Sequence, residues 1–114
     1  MKKLLCLLII CLLCLCACTH KKYEASSIIV KNEKIDKEIS LGKEETEKVL
    51  NILNNIKWKK GLYKTATDVV FEMDDGTLLD YAPEVALIMD KKRGVSFHFA
   101  GEDKEYINSI IPSP

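Results

Sequence analysis

The sequence predicts an α+β domain: an antiparallel sheet of about five to six short strands with two amphipathic helices packed on it. Apolar residues recur at helical spacing in residues 43–57 and again in 101–111. The stretches before and between them alternate apolar and polar residues, as half-buried strands do. Strands that follow one another through short turns pair antiparallel, and one-sided helices need a sheet face to cover.

Residues 26–31 are rich in Ile and Val and read as the first strand, with a turn at Asn32 and Glu33. Ile35, Ile39 and Leu41 then fall on odd positions with Asp36, Glu38 and Ser40 between them, which predicts a second strand paired with the first. In 43–57, Val49, Ile52, Leu53 and Ile56 follow the i, i+3, i+4, i+7 pattern. Gly42 stands at the N-cap with Glu45 at the third helical position, and Glu44, Glu45 and Glu47 favour the positive end of the helix dipole. Trp58 at the exit reads as an aromatic plug over the end of the core, and it is also a residue that a binding surface would use. Gly61 is expected to break the helix.

Thr67, Val69, Phe71 and Met73 share one face of a strand over 65–73. Asp75-Gly76 between apolar runs marks a hairpin, because glycine accepts positive φ. The partner strand, 78–82, stops at Pro83. A strand over 85–89 places Val85, Leu87 and Met89 together, a turn spans 90–94, and Val95, Phe97 and Phe99 point together in the last strand. Tyr106, Ile107, Ile110 and Ile111 share a face of the second helix, which starts with Glu102 and Asp103 and ends at Pro112. There is no internal repeat.

The start of the chain is different in kind. Lys2 and Lys3 precede an unbroken apolar run over residues 4–17. That run is shorter than the about 20 residues a bilayer-crossing helix needs, and it fits the apolar part of a secretory signal. Leu15, Cys16, Ala17 and Cys18 resemble the lipobox of bacterial lipoproteins, with Leu three places before the cysteine and a small residue just before it. Cys16 departs from the Ala, Ser, Thr or Val more usual at its place. The resemblance implies a diacylglyceryl group on the Cys18 thiol, cleavage before Cys18, and a membrane lipid as its first partner. The expected organisation is a signal peptide at 1–17, the lipidated cysteine and a short tether at 18–25, and a globular domain at 26–114, held at the extracytoplasmic face of the cell membrane. The order of elements and the Asp-Gly hairpin also resemble small lipoprotein domains of Gram-positive bacteria, a likeness that brings no catalytic residues with it.

All five cysteines lie within the first eighteen residues, so the domain itself has no disulfide and no thiolate ligand. With Lys2 and Lys3 removed, acids exceed bases by two, and nucleic-acid binding, which needs a basic face, is not expected. Arg93 is the only arginine, which argues against a bidentate clamp for anions. The tether holds His20, Lys21 and Lys22, whose lysines suit an anionic surface. His20 and His98 are the only histidines, and no cofactor or metal is expected. Asp74, Asp75 and Gly76 lack the alternating acids of a calcium loop and read as a plain turn.

Three arrangements remain for chemistry. Ser96 and His98 share a strand face, but nothing marks the acid and oxyanion donors that a triad needs. Asp68, Glu72, Asp80 and Glu84 are the carboxylates that acid–base work would use. Tyr81, His98 and Trp58 are the candidate residues of a binding patch for a peptide or glycan. The expected function is therefore a lipid-anchored, non-enzymatic binding module for another envelope component. Its rivals are an envelope hydrolase built on the strand carboxylates or His98, and an inhibitor or immunity-type protein.

Overall fold

In a computed structural model, which describes residues 22–114, seven antiparallel strands form one sheet. The apolar run of residues 4–17, Cys18 and His20 lie outside the described residues. The strands are β1 (Ile28–Asn32), β2 (Lys37–Ser40), β3 (Lys59–Lys60), β4 (Val69–Met73), β5 (Leu78–Ala82), β6 (Leu87–Asp90) and β7 (Val95–His98). Helix α1 (Lys43–Asn55) lies between β2 and β3 in the chain, and α2 (Gly101–Ser109) follows β7. The sheet order is β2-β1-β4-β5-β6-β7-β3. Among the described residues no helix is long and apolar enough to cross a membrane.

Paired residues of an antiparallel sheet share a face. The register aligns Ile28 with Met73, Val30 with Phe71, Phe71 with Leu79, and Tyr81 with Ile88. All of these are buried, and they join Val49, Ile52 and Leu53 of α1 and Ile107 of α2 in one core cluster. Gly42 caps α1 as expected, its backbone N–H donating to Glu45 Oε1 at 3.3 Å. The Asp-Gly hairpin also forms as expected. Gly76 takes φ 91°, Met73 N donates to Thr77 O at 2.9 Å, and the Asp75 carboxylate accepts from Thr77 N at 2.9 Å. That bond holds the Asp75 carboxyl below its ordinary pKa.

Four sequence expectations are corrected. The sheet has seven strands rather than five to six, because β3 is two lysines with no alternation to announce it, pairing with Val95 and Ser96. Helix α1 ends at Asn55, short of the expected end at residue 57 and well before Gly61, since Ile56 is already extended. In β2 the alternation of Ile35, Ile39 and Leu41 does not mark a buried face. All of β2 is exposed at the sheet edge, Ile39 is 47% exposed, and only Leu41, beyond the strand, is buried. Val85 is 51% exposed and outside β6, because Ala86 turns the backbone to φ 52° and resets the frame before Leu87.

All four residues of β6 are buried, so both of its faces are covered. Ile88 faces the helices, while Leu87 and Met89 form a second cluster with Ala82 on the other face. That cover comes from the link over residues 61–68, which takes the chain from edge strand β3 back to β4. Ser96 Oγ donates to Gly61 O at 2.8 Å, and Tyr63 N lies 3.5 Å from Met89 Sδ. The Tyr63 ring meets His98 edge-on at 5.3 Å. Met89, Ser96 and His98 all point to the face opposite the helices, so the link runs across it.

These burials predict contrasting mutational costs. Phe71→Ala should destabilise the domain by about 3–5 kcal/mol. Ile39→Ala, on the exposed edge, should change stability by no more than about 0.5 kcal/mol. Urea unfolding followed by the fluorescence of Trp58, the sole tryptophan, measures both.

Candidate functional site

The β4–β5 and β6–β7 turns lie at the same end of the sheet, because the intervening strands run up and down in sequence. Below them, on the half of the second face that the 61–68 link leaves uncovered, runs an open groove of about 980 Å³. Lys31, Val70, Glu72, Leu78, Asp80 and Lys91 line it. Lys31 Nζ pairs with Glu72 at 2.5 Å, a contact across β1 and β4 that raises the lysine pKa. Lys91 Nζ stands 3.6 Å from Asp80. Leu78 is 54% exposed among these charges. The surface offers opposite charges and one exposed apolar side chain on an open face rather than in a closed cleft.

The same groove continues past Lys92 to Tyr23, Asp90 and Arg93, which form a cluster at the corner of the sheet. Tyr23 is buried, and its backbone is held on both sides by Asn54 of α1: Tyr23 N donates to Asn54 Oδ1 at 2.7 Å, and Asn54 Nδ2 donates to Tyr23 O at 3.0 Å. The Tyr23 hydroxyl donates to Asp90 Oδ2 at 2.7 Å and accepts from Arg93 Nη1 at 2.7 Å. Arg93 also donates its backbone N–H to Asp90 Oδ1 at 3.1 Å, and its guanidinium lies 5.1 Å from the Tyr23 ring centre. Asp90 is only 2% exposed, so these donors are what its charge has in place of water. Burial, and then the Asp90 carboxylate, push the Tyr23 phenol far above its ordinary pKa. Trp58 closes the cluster, 5.6 Å from the Tyr23 ring, with Nε1 donating to Leu53 O at 2.9 Å at the end of α1. No local sequence pattern announced this cluster, since Tyr23 stands 67 residues from Asp90 and 31 from Asn54.

The residues singled out in the sequence do not gather into one patch. Tyr81 is fully buried on the helix side, its hydroxyl donating to Asn108 Oδ1 of α2 at 2.6 Å and its ring against Phe71 and Phe99. His98 is exposed on the opposite face, against Tyr63. Trp58 belongs to the Tyr23 cluster. Ser96 gives its hydroxyl hydrogen to Gly61 O and not to His98. Of the four carboxylates, Glu72 and Asp80 share the groove, each facing a lysine, while Asp68 and Glu84 are exposed at the other end of the sheet. Asp74 Oδ1 accepts from Ser26 N at 3.0 Å. Among the described residues no three His, Asp or Glu side chains are grouped as they are around a metal ion.

Two outcomes follow from the tyrosines. Tyr23→Phe leaves Asp90 without one of its donors and should cost about 1–3 kcal/mol in urea unfolding. Tyr81 is pushed up to about 12 from 10.0 by burial alone. Its raised folded pKa contributes stability that is complete below pH 10 and is lost as pH rises through 12. Stability should therefore fall across that window, with at most about 1.4 kcal/mol per pH unit from this group. Tyr81→Phe should flatten the decline in a pH series of unfolding curves.

No family model matches this chain, no curated protein matches it, and no solved structure matches its fold.

Proposed function

We propose that this chain is a bacterial lipoprotein, anchored through a diacylglyceryl group on Cys18, whose domain binds another envelope component without catalysing a reaction. The observation that carries the reading is the cysteine motif at residues 15–18, following a short apolar run and standing immediately before a folded domain. Tyr23, five positions after Cys18, is already bonded into the fold by Asn54 and Asp90. Tyr23, which the sequence assigned to a tether over residues 18–25, is thus part of the folded core.

The open groove supports the binding half of the proposal. Glu72 and Asp80 face lysines rather than each other, and Leu78 stands exposed beside them. Such a surface suits an envelope protein, a peptide or a glycan at the extracytoplasmic side of the cell membrane.

The intact mass of the membrane-extracted protein tests the anchor, with Cys18→Ala beside it. The expected mass is that of residues 18–114 plus a diacylglyceryl group, and an uncleaved or unlipidated mass overturns the anchor. For the binding surface, cross-linking in intact cells compares wild type with Leu78→Asp. A partner captured by wild type and lost in Leu78→Asp supports the groove, and equal capture by both overturns it.

A further inference from the structure

We infer that the corner of the domain around the β6–β7 turn is a docking surface for anionic lipid headgroups, holding the domain against the bilayer to which Cys18 ties it. The inference rests on the lipid-anchor reading above and extends it from the anchor to the folded domain.

Two stretches of chain meet at this corner. Gly61 N donates to Gly94 O at 2.8 Å, joining the segment after β3 to the turn between β6 and β7. The first stretch brings Lys59, Lys60 and Lys64, and the second brings Lys91, Lys92 and Arg93, all exposed. Leu62, next to Gly61, is 49% exposed, and Tyr63, 54% exposed, follows it onto the second face with its ring against His98. An aliphatic side chain left in water beside lysines suits a surface that lies in the headgroup zone. The alkyl groups enter the interface while the ammonium groups meet phosphates.

The nearby acids offset part of this charge and leave Lys59, Lys60 and Lys92 as its main cations. Asp90 is buried against Tyr23 and Arg93, and Asp80 faces Lys91. Asp74 and Asp75 belong to the neighbouring β4–β5 turn and bound the basic surface on that side; after its bonds to Thr77, the charge of nearby Lys92 also helps hold the Asp75 carboxyl low. The far end of the sheet carries the opposite sign. Phe99 N donates to Ala86 O at 2.8 Å, which brings the β5–β6 turn with Glu84 beside the start of α2 with Glu102 and Asp103. An anionic membrane therefore attracts one end of this domain and repels the other.

The path of the chain decides between a membrane and a soluble acidic partner. Tyr23 is fixed at this same corner by Asn54 and Asp90. From Cys18 to Tyr23 the chain reaches at most about 18 Å, so a lipidated Cys18 keeps the corner at the bilayer surface. Contacts held at that effective concentration engage even when each is weak.

The test uses the membrane-extracted, lipidated protein in vesicles of phosphatidylcholine, with or without phosphatidylglycerol. Brief lysine acylation is read by peptide mass spectrometry. Lys59, Lys60, Lys91 and Lys92 should react about fivefold more slowly on the anionic vesicles. Lys34 and Lys104, away from the corner, should react equally on both. High salt should remove the protection. The double variant Lys60→Glu, Lys92→Glu should restore the reactivity of Lys59 and Lys91 without touching the Tyr23 bonds. Equal rates on the two lipids overturn the proposal, as does protection seen only in native membranes, which would assign the corner to a protein partner. A protein that fails to float with neutral vesicles lacks the anchor. Its flotation with anionic vesicles alone would still support the surface, and flotation with neither would overturn both.

Discussion

Helix α1 follows β2 at one edge of the sheet and precedes β3 at the other, and much of the architecture follows from that placement. Seven strands spaced about 4.8 Å apart span about 29 Å from first to last. A 13-residue helix covers about 20 Å, so α1 and its flanking residues cross nearly the whole sheet. The crossing lays Val49, Ile52 and Leu53 over the apolar face. It also delivers the chain to the wrong edge for β4, which pairs with β1 and β5. The return has to be made across the sheet, and with the helices occupying one face it is made on the other.

That return divides the second face. The link over residues 61–68 runs over β7 and β6, on the side where Leu87, Met89 and Ala82 are buried and where antiparallel sheets commonly face water. The remainder, over β1, β4 and β5, stays open as the groove with its cross-strand ion pairs. The same link sets Leu62 in solvent next to Gly61, which bonds the β6–β7 turn. One connection therefore closes the second core, bounds the groove and builds half of the basic corner.

The Tyr23 cluster ties the start of the domain to its far side. An acid as buried as Asp90 needs donors, and Tyr23 and Arg93 supply them in a low-dielectric setting where such bonds are strong. The arrangement fixes where the chain enters the domain. Arg93, which as the lone arginine argued against an anion clamp, is engaged with Tyr23 and Asp90 through its planar head.

Local chemistry made several features legible along the chain: the apolar stripe and acidic start of α1, the Asp-Gly hairpin, the strand runs ending at Met73 and Ala82, and the cysteine motif ahead of the domain. Periodicity, capping and turn conformation act over a few residues, so they can be read without knowing the fold. Alternation misjudged β2 and Val85, since it says that a strand has two faces and not whether anything covers either one. Only the tertiary structure decided that β3 exists, that Tyr81 and His98 lie on opposite faces, and that Tyr23, Asn54, Asp90 and Arg93 meet. Each of those depends on which strands become neighbours, and that is set by the packing of a whole face against the helices, a property no short window of residues carries.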